Sequence, residues 1–279
     1  MDPVQAALYA VAVPAAVAAG VLFALHVFTT KRAAATGVGP AIALGFIVAF
    51  IGMAGRPAFP PKEAWHWLPF LAAAAAAIGG IEPRIPGFTR RGLRIALLVF
   101  AALAVTPPSK RDPAQGELYV SAGTALAALV ASRYLEALEK TGGPRAALAP
   151  AFVASACAAI ALAVFSGSAV LGTLCGAVAA AIGACLVLGW WIPIDARDGS
   201  LVAVSLVAMT SLCGAQYATL PAASSILLAV APAGGALTVG LLARRGGPMR
   251  LVLRAAGGAA IPAGIAVAIA AHYAPRFDY

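Results

Sequence analysis

Charge is scarce in this chain. Asp and Glu number 10 and Lys and Arg 19 among 279 residues, so charged side chains make up 10%. Soluble domains carry about 25%. Hydrophobic residues reach 62%, and the mean hydropathy is +0.93. A water-soluble globule of this composition lacks the polar side chains to cover its surface. The bilayer is the expected solvent.

Cysteine is scarce too. Cys157, Cys175, Cys185 and Cys213 all fall inside apolar runs, with no CxxC spacing and no neighbouring His. Zinc and dithiol chemistry fail on that spacing. The thiols read as small apolar fillers. His26, His66 and His272 lie near the ends of three different runs, so no haem or metal pair is expected. Ionisable groups are missing from the middle of the runs, which argues against proton-coupled pumping. No catalytic residue and no cofactor is expected, and an enzyme is the weaker reading. Long polar stretches are absent as well. The longest gaps, Gly55–Ala64, Thr106–Glu117 and Glu139–Leu148, are too short for a soluble domain.

What the chain has is apolar runs in series. They lie near Val4–Phe28, Val38–Ala54, Trp65–Gly80, Arg91–Val105, Leu118–Leu138, Ala149–Phe165, Val170–Trp191, Leu201–Tyr217, Pro221–Leu242 and Leu251–Ala271. A spanning helix needs roughly 20 mainly apolar residues. The sequence therefore predicts an all-α polytopic bundle of ten spans, a single integral membrane domain over residues 1–279. The fourth run is short, and Arg94 at its edge is expected to snorkel to the interface. Met1-Asp2-Pro3 carries no cation, so the first run reads as a span and not as a signal peptide.

The cations favour every second gap. With ten crossings, one side holds Arg56, Lys62, Lys110, Arg111 and Arg276, and the other holds the remaining fourteen of the 19. If the fourth run did not cross, the split would be nine to ten. The positive-inside rule selects ten crossings with both termini non-cytoplasmic. Asp2, Glu63, Asp112, Glu117 and Asp278 offset the five outer cations, so the net charge of +9 faces the cytoplasm. Trp65, Trp67, Trp190 and Trp191 sit at run ends, where interfacial rings belong. A cell inner (plasma) membrane, crossed many times, and contact with anionic lipids at the cytoplasmic face are the expected setting. Nucleic acid is not an expected partner, because the cations are tied to the membrane plane.

Ten spans divide into 1–140 and 147–279, five plus five, which is the topology of an inverted repeat. Pro232-Ala233-Gly234-Gly235 interrupts the ninth run, and a broken helix there is expected to expose backbone groups. The eighth run carries Ser205, Met209, Cys213 and Gln216 on one face, with Thr210 beside them. These features predict a small-solute transporter or permease. Its substrate site would lie between spans eight and nine, built from Ser205, Thr210, Gln216, Pro232, Gly234 and Gly235. The alternatives are a non-catalytic membrane subunit and a lipid-modifying enzyme using Asp195 and Asp198. Gly172 and Gly176 form a GxxxG face, which suits tight packing or a homo- or hetero-oligomeric contact. No motif carries a resemblance to a known family.

Overall fold

The computed structural model describes residues 3–28, 37–57, 59–110, 116–242 and 247–275. Lys31, Arg32, Arg111, Asp112, Arg244, Arg245 and both chain ends beyond these limits lie outside the described residues. So do the charge assignments made on them.

Among the described residues, ten helices follow the ten apolar runs. We number them α1 (Val4–Phe28), α2 (Val38–Ala54), α3 (Ala64–Arg84), α4 (Gly87–Val105), α5 (Glu117–Gly142), α6 (Pro144–Phe165), α7 (Ala169–Leu188), α8 (Arg197–Tyr217), α9 (Ala222–Leu242) and α10 (Pro248–His272). There is no strand among the described residues. Eight of the helices are long and apolar enough to cross a membrane unaided. The exceptions are α2, which has 17 residues, and α4, whose first half carries Arg90, Arg91 and Arg94.

Local chemistry sets several ends. Gly143 adopts φ 81°, where a side chain would be strained, and Pro144 opens α6. This is the usual Gly-stop and Pro-start asymmetry. One residue therefore separates α5 from α6, and the gap expected over Glu139–Leu148 is corrected. Charged side chains at a span end do not stop a helix whose backbone bonds stay satisfied. Ser168 caps α7, its Oγ accepting from the Leu171 N–H at 3.4 Å. Trp190 and Trp191 lie in the turn after α7 and not within it. The Arg145 guanidinium stacks 4.0 Å from the Trp190 ring centroid.

α8 is the axis of the bundle. It packs against α2, α3, α4, α5, α6, α7 and α9, and 94% of its apolar stretch is buried, against 17% for α1. Small residues make this possible, because Ala, Gly and Ser let helix backbones approach closely. The Gly172 face is used inside the chain. A Cβ on Gly172 would lie 2.5 Å from the Ala163 Cβ of α6, while Gly176 faces Ala10 of α1.

Candidate functional site

α9 is unbroken. Its helical hydrogen bonding continues through Pro232, Gly234 and Gly235, which corrects the expected discontinuity. A proline removes one donor, and the rest of the helix is held by its neighbours. The glycines serve approach and not opening. A Cβ on Gly234 would lie 2.7 Å from the Gly258 carbonyl oxygen of α10. One on Gly235 would lie 2.4 Å from the Ala255 carbonyl oxygen and 2.5 Å from Pro150 of α6. These positions therefore turn toward α6 and α10.

On α8, Ser205, Thr210 and Gln216 are all buried. Thr210 is satisfied locally: its Oγ1 donates to the Leu206 carbonyl at 2.6 Å and accepts from Cys175 Sγ at 2.9 Å. Ser205 Oγ and Gln216 Oε1 have no hydrogen-bond partner among the described residues. Gln216 Nε2 donates to Ser121 Oγ and to the Glu117 carbonyl, each at 3.4 Å. Eleven residues separate Ser205 from Gln216, about 16 Å along the axis. The structure thus does not gather these residues into one site: the polar atoms of α8 are spread along it, and Gly234 and Gly235 of α9 face α10 and α6.

The two ends of α8 differ in chemistry. Beside Tyr217 lie two open cavities. One, about 530 Å³, is lined by Trp65, Ser166, Ser168, Cys213, Tyr217 and Thr219 among others. The other, about 590 Å³, is lined by Lys62, Glu63, Trp65, Trp67, Thr106 and Tyr217 among others. Trp65 and Tyr217 belong to both. Trp65 is anchored by its ring contact with Phe50, centroids 5.3 Å apart, and Tyr217 Oη donates to the Val105 carbonyl at 3.0 Å.

At the opposite end lies a buried ion-pair cluster. Arg94 is 1% exposed and Glu82 4%. Arg94 Nε donates to Glu82 Oε1 at 2.5 Å, Nη2 donates to Glu82 Oε2, and Nη1 donates to Glu136 Oε2 at 3.2 Å. Bidentate pairing of this kind is the strong form of an ion pair. Glu136 also meets Arg90 at 3.3 Å, Arg133 at 3.6 Å and Lys140 at 3.8 Å. The void between Glu82, Arg90, Arg94, Glu136 and Arg197 is about 20 Å³, room for a water at most. The snorkelling expected of Arg94 is thereby corrected: a partner on each side satisfies it in place. The signal lies in α4. Arg94, Leu97, Leu98, Ala101, Ala102 and Val105 form one stripe at helical spacing, and all six are buried.

Asp198 lies at the same end, 2% exposed. Gly39 of α2 and Gly79 of α3 flank it so closely that a Cβ on either would lie about 3 Å from Asp198. Its Oδ1 accepts from the Gly199 N–H at 2.9 Å, and its Oδ2 has no hydrogen-bond partner among the described residues. Asp195 Oδ1 accepts from the Arg197 N–H at 3.0 Å and pairs with Arg197 Nε at 3.8 Å. The Ala196 N–H donates to Glu139 Oε1 at 2.8 Å, which ties this turn to α5.

Neither the models of known protein families nor the curated proteins give a match to this chain.

Proposed function

We propose that the protein is a small-solute transporter held here with its Trp65 end open and its Arg94 end shut. One observation carries the reading. The central helix α8 is flanked at Tyr217 by two cavities of about 530 and 590 Å³, while a buried ion cluster plugs the bundle near its other end. A buried ion pair adds little stability over an apolar replacement, and its attested use is to specify one arrangement among several. A closure that must open again fits that use. The expected topology completes the reading: ten crossings, five plus five, both termini outside, in a cell inner membrane.

The binding surface is α8 itself. Ser205 and Gln216 supply buried oxygens with no hydrogen-bond partner among the described residues, and Thr210 lies between them on the same helix. Gly234 and Gly235 contribute by letting α9 pack closely on α10 and α6, so that α9 moves with them, and Pro232 lies in the same unbroken helix. The lipid-enzyme alternative draws less support. Asp198 is enclosed between two glycine backbones, and Asp195 is bonded within its own turn.

Uptake by liposomes tests the proposal. Vesicles containing the full chain are incubated in a mixture of small metabolites, washed, and their contents measured by mass spectrometry. At least one solute is expected to accumulate above protein-free vesicles, and Gln216→Ala and Ser205→Val should change its apparent KM. If no solute accumulates, with the protein folded and inserted, the transporter reading fails.

A further inference from the structure

A groove between α4 and α5 opens to the side of the bundle. It holds about 260 Å³ and is almost wholly apolar. Its walls follow the helical repeat: Ile95, Leu98, Val99 and Ala102 on α4, and Leu118, Ala122, Ala125, Leu126 and Leu129 on α5. One turn beyond each wall, toward the ion-pair end, the same stripes continue into Arg91 on α4 and Arg133 on α5. Arg91 is exposed and Arg133 half-buried. The groove therefore ends between two arginines.

That end carries positive charge that the neighbouring carboxylates do not balance. Glu136 is shared by Arg90, Arg94, Arg133 and Lys140, each within 4 Å. Glu82 is occupied by Arg94. With Arg91, five cations face two carboxylates. Arg133 lies close enough to Arg90, Arg91 and Arg94 to feel their repulsion. The Arg90 Nε is buried with no hydrogen-bond partner among the described residues. From Arg133 to Leu118 is about 22 Å along α5, against a hydrocarbon thickness of about 30 Å. A single long acyl chain covers that distance from one surface.

We propose that this is a site for one anionic phospholipid, its phosphate between Arg91 and Arg133 and one acyl chain lying in the α4–α5 groove. The charge excess selects an anionic headgroup, and the apolar walls select a lipid over a soluble anion. The site does not depend on transport, so either proposal can fail alone.

The test is native mass spectrometry of the detergent-purified full chain. Phosphatidylglycerol or phosphatidylcholine with matched chains is added. One phosphatidylglycerol per chain should be retained, about tenfold more tightly than phosphatidylcholine. Arg91→Gln with Arg133→Gln should erase that preference. Ala122→Phe fills the groove without touching charge and should release the lipid. Arg56→Gln, at the other end, should change nothing. Inorganic phosphate at millimolar concentration should not compete. Equal retention of the two lipids, retention untouched by Ala122→Phe, displacement by phosphate, or an equal loss in Arg56→Gln would each overturn the site.

Discussion

Arg94 of α4 donates to both carboxylate oxygens of Glu82 of α3, across the short turn that joins the two helices. The same guanidinium reaches Glu136 of α5. Three consecutive helices are thus fastened through one side chain.

Removing that side chain strands the buried Glu82 carboxylate and takes from Glu136 one of its four cations. Arg94→Met should lower stability by about 3–5 kcal/mol, the usual cost of breaking a buried pair from one side. Thermal unfolding in detergent measures it. Replacing the pair together, Arg94→Met with Glu82→Gln, should recover most of the loss. A double variant no more stable than Arg94→Met would show that the two side chains are not coupled.

Gly79 and Gly80 should respond in opposite directions to alanine. A Cβ on Gly79 would lie 2.8 Å from the Asp198 Cα, whereas one on Gly80 would meet nothing within 4 Å. Gly79→Ala should destabilise by about 1–3 kcal/mol through overpacking. Gly80→Ala should be neutral, or stabilising by up to about 1 kcal/mol through helix propensity. Equal melting temperatures for the two variants would argue against the close approach of α3 and α8.

Pro232→Ala should leave the bundle intact. α9 already runs through this position, so the substitution removes a kink source and adds one backbone donor. Uptake and melting temperature are expected to stay near wild type. Gly234→Ala should instead be damaging, because it pushes into the Gly258 backbone. Lost folding in Pro232→Ala would mean that the proline shapes α9 after all.

Single cysteines placed in the turns test the crossings. Ser168→Cys and Thr219→Cys line the same cavity and should react with an impermeant maleimide from one side of intact cells, the outer side by the charge rule. Pro83→Cys and Asp195→Cys should react only after permeabilisation. With α3 crossing but α4 not, Pro83 and Pro107 would label from the same side. Opposite labelling of Pro83→Cys and Pro107→Cys therefore establishes the crossing of α4 directly.

Much of the architecture is legible in the amino-acid sequence. Apolar runs mark ten helices with ends mostly within a few residues, because a spanning helix must satisfy its backbone internally and so fills its run. The polar interior of α8 is visible in Ser205, Thr210 and Gln216, and this helix is the buried one. The ion-pair cluster is harder to see. Glu82 and Glu136 stand 12 and 42 residues from Arg94. Each of the three looks like an end-of-span charge, and only helix packing joins them. Pro232-Ala233-Gly234-Gly235 misleads for a related reason. Glycine marks both openings and tight crossings, and only the neighbouring Gly258, Ala255 and Pro150 decide which applies.

The central place of α8 bears on how the chain is made. Translation delivers α2 through α7 before α8 emerges, yet all of them pack against it. The early helices must therefore enter the membrane around a vacant slot and wait. When α8 arrives it brings Asp198, Ser205, Thr210 and Gln216, the polar cargo least suited to lingering in lipid. A biogenesis defect in this protein should accordingly appear as fragments or degradation products ending near α7, the last point at which the bundle still lacks its centre.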